Sequence, residues 1–188
     1  MTWEELSAIS TFLTLVVISA TAVAAVGQLR HMRSSNAITG YLGLMDRWAS
    51  PHAREIQNYV FGGELERRLQ DRAYRDELRL GMADRIKHPE VEYLDFWESL
   101  GMFLKMGFFP EEGVMESGGP VALAAWPKLA PVVAIIRRTR GATAYDNFEY
   151  LVSRARMWEA SHPEGYFPNR TPHLAVVDEF ADDVQEKA

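Results

Sequence analysis

Polar and apolar positions alternate with helical periodicity along most of this chain, with one large exception at its start. No charged residue lies between Glu5 and Arg30, so Leu6 through Leu29 form an uninterrupted uncharged run. Those 24 residues would extend about 36 Å as an α-helix, enough to cross a hydrocarbon layer of about 30 Å with some tilt. An amphipathic surface helix would show a polar face there, and none is present. A secretory signal opens with a basic segment, whereas this chain opens with the acidic "MTWEEL". The pattern predicts a membrane anchor over residues 1–33, with the span at about 6–29.

Flanking charge predicts its orientation. Glu4 and Glu5 precede the span, and Arg30, His31 and Arg33 follow it. Basic flanks stay on the cytoplasmic side, which places the N-terminus outside and the main domain in the cytoplasm. Trp3 is positioned as an interfacial anchor. Ala20 and Ala24 have the small-xxx-small spacing that lets two membrane helices approach closely, so a homo-oligomer is one expectation. A second apolar run, "VALAAWPKLAPVVAII", holds Lys128 and is broken by Pro127 and Pro131. It is too short and interrupted to cross a bilayer, and reads as core.

From residue 34 to 161 the period is helical with no convincing strand, predicting an all-α bundle of about five to six helices. Ile38, Tyr41, Leu42, Met45 and Trp48 form one stripe. Ser50 and Pro51 have the character of an N-cap and first helical residue, opening a segment to about Phe61 that Gly62 and Gly63 end. Residues 64–87 carry six acids and seven bases in mixture, as in a solvated helix or helix pair laced by i,i+4 contacts. Pro89 opens a helix to about Met106. On a wheel, Tyr93, Leu94, Phe96, Trp97, Leu100, Phe103 and Leu104 occupy about half its circumference, which marks the central helix of the bundle. A further helix begins near Pro127 and ends at Gly141. The last runs over 142–161, with Phe148, Leu151, Ala155 and Trp158 at heptad spacing, and Pro163 stops it.

Composition narrows the function. The chain has 188 residues, 47% hydrophobic and 24% charged, so it can bury an ordinary core. It contains no cysteine, which removes disulfides and thiolate metal sites. Its net charge of −6 argues against a general nucleic-acid binder. From Pro163 onward six acidic residues face only Arg170 and Lys187, so the segment 162–188 is an acidic tail, read as partly disordered.

The segments "FWESLGMFLKMGFF", "WPKLAPVVAIIRRTRG" and "AYDNFEYLVSRA" resemble a bacterial family of unknown function. Its members carry one N-terminal membrane helix and a cytosolic all-helical domain. The resemblance covers roughly residues 8–160. It implies the fold and the anchor, and carries over no catalytic residues.

Motifs that could carry chemistry fail on inspection. "GVMESGGP" places Gly113 and Gly118 at the outer spacing of a phosphate loop, but Gly119 and Pro120 stand where Lys and Ser or Thr are needed, so it reads as a loop. Ser117 lacks both the flanking glycine pattern and the strand of a nucleophile elbow. Glu159 and His162 match one Glu-x-x-His pair of a di-iron bundle, which needs two such pairs and further glutamates. His31, His52, His88 and His173 have no ligand spacing, and His88 reads as a helix-start residue. No metal or cofactor is expected, and no catalytic constellation.

Three features remain as candidates. Glu92, Asp95 and Glu98 form an acidic row that reads as a solvated face, except that Glu98 borders the apolar arc and is a candidate for a buried ion pair with an arginine of a neighbouring helix. Arg137, Arg138 and Arg140 cluster before Gly141. They serve either to offset the helix dipole or to contact anionic lipid beside a tethered domain. In the tail, Leu174, Val177 and Phe180, with Val176, form either a docking segment for a partner or a strip that folds back on the bundle. The expected protein is a single-pass inner-membrane protein whose bundle is a non-enzymatic adaptor or regulatory module with a protein partner. The alternative is a membrane-bound effector or ligand sensor in a bacterial stress or defence pathway.

Overall fold

The computed structural model describes residues 2–80, 83–167, 171–172, 174–177 and 179. Among them all regular structure is helical: α1 (Trp3–Ala49), α2 (Pro51–Phe61), α3 (Glu64–Arg68), α4 (Arg72–Leu78), α5 (Pro89–Lys105), α6 (Glu111–Arg140) and α7 (Asp146–Ser161).

α1 is one unbroken helix of 47 residues, about 70 Å long. Thr2 and Glu5 close a capping box at its start: the Thr2 hydroxyl accepts from the Glu5 amide, and the Glu5 carboxylate accepts from the Thr2 amide. Within Trp3–Met32 its most apolar 18-residue window has a mean hydropathy of 2.2 and buries nothing against the rest of the chain. The boundary expected at residues 33 and 34 therefore falls inside a continuous helix. Nothing after Arg30 can stop it until Ser50, whose extended backbone and hydroxyl cap α2, and Pro51 at the first position of α2. The final turns of α1 lay Tyr41, Leu44 and Trp48 on the core. Ile38 and Leu42, expected in the same stripe, are 59% and 61% exposed on the outer side.

α5 occupies the centre. Val91, Tyr93, Leu94, Trp97, Leu100 and Leu104 are buried, with Phe96 and Phe103 half-buried beside them, which agrees with the wheel. It crosses α7 where Gly101 lies against the Asn147 backbone. The mixed-charge stretch resolves into the pair α3 and α4, with Arg67 and Arg68 on Glu64, and Arg72 and Arg79 on Asp76. Leu65, Tyr74 and Leu78 anchor that pair in the core.

α6 departs most from expectation. "GVMESGGP" is not a loop, and the helix begins at Glu111 and runs through Pro120, Pro127 and Pro131. An internal proline costs a helix about 3 kcal/mol. Burial of Val114, Met115, Ala122, Ala125, Leu129, Val132, Val133 and Ile136 offsets that cost. Gly118 faces Leu100 and Gly119 faces Ala155, so the small residues let α5 and α7 approach. Glu111–Arg140 is also apolar and long enough to cross a membrane, but nearly half of its most apolar window is buried within the bundle, and it is a core helix. Gly141 ends it with φ 91°. α7 then starts at Asp146, later than the 142 expected, because Tyr145 takes a left-handed backbone (φ 60°) that closes the turn.

Candidate functional site

Three assemblies of polar and aromatic side chains stand out, and each is built from residues far apart in sequence. The first joins α1 to the bundle. The Tyr41 hydroxyl meets Ser117 Oγ and the Gly113 carbonyl at the start of α6, and its ring packs edge-on against Phe109. Two turns later Trp48 stacks on Tyr93 (5.5 Å), lies tilted against Phe96 (4.7 Å) and meets Trp97 edge-on (5.0 Å). Beside it Glu92 accepts from Arg47 at 3.1 Å and pairs with His52 Nε2 at 3.0 Å. The hydrogen bonds from His52 and Arg47 hold the Glu92 carboxyl below its ordinary pKa.

Glu92 is one member of the acidic row read as solvated. All three members instead tie α5 to its neighbours. Asp95 accepts from Arg85 at 2.7 Å and from the Tyr145 hydroxyl at 3.2 Å. Glu98, expected to meet an arginine, accepts from Asn147 Nδ2 at 2.8 Å and from the Phe148 amide at 2.9 Å. The reason lies in α7, whose N-cap residue Tyr145 points its hydroxyl at Asp95 and gives the helix no capping side-chain hydrogen bond. A carboxylate from α5 fills that role, where the helix dipole favours negative charge.

The second assembly is buried. His88 and Glu90 are both 0% exposed. His88 Nδ1 lies 3.1 Å from Glu90 Oε1, and Nε2 lies 3.1 Å from Glu77 Oε2. The Tyr74 hydroxyl donates to the same Glu90 oxygen at 2.6 Å. Tyr74 has one hydrogen to give, so Tyr59 donates to Tyr74 across their 2.8 Å contact. Burial, then the bonds to Glu90 and Tyr59, raise the Tyr74 phenol far above its usual range. This chain of groups ties α2 and α4 to the start of α5. His88 thus does precede a helix, as its sequence position suggested. Its burial depends on Tyr74 and Glu77, which no local pattern links to it.

The third is a groove of about 520 Å³ between the first half of α6 and the end of α7. Met115, Gly119, Leu123 and Ala155 belong to its apolar lining, and Glu116 and Glu159 supply one carboxylate from each helix. Trp158, His162 and Tyr166 line one end as a mutual cluster, with ring centroids 4.2–5.4 Å apart. His162 also uses Nδ1 on the Trp158 carbonyl and Ser161 Oγ, both at 3.0 Å. The single Glu-x-x-His pair seen in the sequence is part of this wall. Among the described residues no group of three His, Asp or Glu side chains is placed to hold a metal ion.

The other sequence candidates are not brought together. Arg137 closes the α6–α7 turn: its Nε donates to the Ala144 carbonyl at 2.9 Å and its guanidinium pairs with Glu149 at 2.6 Å. Arg138 and Arg140 are exposed at the same helix end, and Arg140 has a partner of its own. Leu174, Val176 and Val177 are exposed, while Phe180 lies outside the described residues.

The family described as Domain of unknown function (DUF4760) matches residues 15–155, three quarters of the chain, and the chain belongs to that family. No curated protein and no solved structure matches it. The matched region takes in the α1 junction and the buried His88 assembly. It stops short of Trp158, Glu159, His162 and Tyr166.

Proposed function

We propose that this family member is a single-span protein of the bacterial inner membrane whose helical bundle stands on the cytoplasmic face as a non-catalytic adaptor or regulatory module. The observation that carries the reading is the continuity of α1, apolar and uncovered over its first 30 residues and fixed into the core by Tyr41 and Trp48. Polar groups in hydrocarbon must find partners inside the helix. The hydroxyls of Thr11, Thr14 and Thr21 do so, donating to the carbonyls of Ser7, Ser10 and Val17 at 2.8–2.9 Å. Arg30 and His31 follow the apolar stretch and Glu4 and Glu5 precede it, which supports an outside N-terminus. A helix continuous across this junction sets the height and orientation of the bundle, a use that suits presenting a surface to a partner.

The reading is tested in cells. After carbonate washing the chain should remain with the membrane pellet, and protease added to intact spheroplasts should leave residues beyond Arg33 uncut until the membrane is permeabilised. Release of the chain by carbonate, or digestion of the bundle in intact spheroplasts, would overturn it.

A further inference from the structure

The groove between α6 and α7 has a chemistry that selects its ligand, and we infer that it binds an arginine side chain presented by a protein partner. The two acidic side chains of the lining, Glu116 and Glu159, are hydrogen-bond acceptors that carry negative charge. Glu116 and Glu159 have no cationic partner among the described residues, and they bring negative charge to both helices of the groove. Prolines lack an amide hydrogen, so Pro120 and Pro127 leave the carbonyls of Glu116 and Leu123 without their helical donors, and both residues line the groove. The aromatic wall of Trp158, His162 and Tyr166 supplies ring surface in the same groove. A guanidinium combines five donors, a fixed positive charge and a planar face that stacks on aromatic rings.

The shape favours a side chain over a free small molecule. Glu116, Pro120, Glu159, Pro163 and Tyr166 are exposed along the rim. Small-ligand sites bury most of the ligand, whereas a partner's own surface can cover an open rim. Beyond Tyr166 the chain's own C-terminal segment carries five acidic residues against Arg170 and Lys187, so it is net acidic. This inference deepens the adaptor reading by naming the partner's chemistry. Binding to purified protein is scored whichever side of a membrane the bundle occupies, so the two can fail separately.

The test uses the full chain in nanodiscs of neutral phosphatidylcholine and a fluorescent hexapeptide of alternating arginine and serine. Saturable binding is expected. It should weaken at least about tenfold when citrulline replaces arginine, and by a similar factor in the E116Q/E159Q double variant. The D46N/E55Q double variant removes the same charge from exposed positions on α1 and α2, and should bind as the unmodified chain does. Equal loss in both double variants would reduce the effect to general attraction by an acidic protein and overturn the proposal. So would unchanged binding in E116Q/E159Q, no binding at all, or free arginine amide binding as tightly as the peptide.

Discussion

Trp97→Ala is expected to lower the stability of the bundle by about 3–5 kcal/mol, the range for removing a fully enclosed large aromatic. Trp97 is 1% exposed. Its ring stacks on Phe148 at 5.6 Å and meets Trp48, Tyr93 and Phe96 at 5.0–5.8 Å. Those neighbours come from α1, α5 and α7, so the cavity would open where three helices meet and no single one can move in to fill it. Near-ultraviolet circular dichroism of the full chain in detergent should show the midpoint falling by about 6–20 °C. A shift within error would mean that Trp97 is not enclosed.

Gly101→Ala should be at least as damaging, although it adds a single methyl group. A Cβ at that position would lie 2.1 Å from the Asn147 carbonyl oxygen and 2.6 Å from its carbon. Both obstacles are backbone, so no rotamer change relieves them. α5 and α7 would have to separate, stretching the bonds from Asn147 and Phe148 to Glu98 and parting Trp97 from Phe148. Overpacking of a core costs about 1–3 kcal/mol where side chains can adjust, and a backbone clash puts this substitution at or above the top of that range. Gly43 on α1 is the matched control, because nothing lies within 4 Å of its added Cβ. Gly43→Ala should stabilise the helix by roughly 0.5–1 kcal/mol. Equal melting of the two variants would contradict the close α5–α7 crossing.

Much of the fold can be read from local pattern because it depends on local physics. The charge-free stretch from Leu6 to Leu29, the caps at Ser50 and Pro51, and the apolar arc of α5 are all properties of neighbouring residues. The first half of α6 could not be read that way. Its glycines and prolines are unfavourable in an isolated helix, and only contacts with Leu100 and Ala155 from other elements make them acceptable. The same limit governs the polar sites. Glu92 and Asp95 share a helix face that looks solvated until Arg47, His52 and Arg85 are placed against it, and Glu98 meets Asn147 where an arginine was expected. The groove was partly in view as Glu159 and His162 but was missed as a site. Its other wall, with Glu116 and Pro120, sits in a segment whose composition argued for a loop.

The most direct test of the tether follows from the absence of cysteine in the chain, which makes single-cysteine labelling free of background. Cysteines placed singly at Thr2, Val16, Val23, Ile38 and Leu42 would be exposed to a membrane-impermeant maleimide in spheroplasts. Position 2 should react in intact spheroplasts, positions 16 and 23 should stay protected even after permeabilisation, and positions 38 and 42 should react only once the membrane is opened. Labelling at 16 and 23 as fast as at 38 and 42 would show that α1 does not enter a bilayer, and would contradict the tethered bundle.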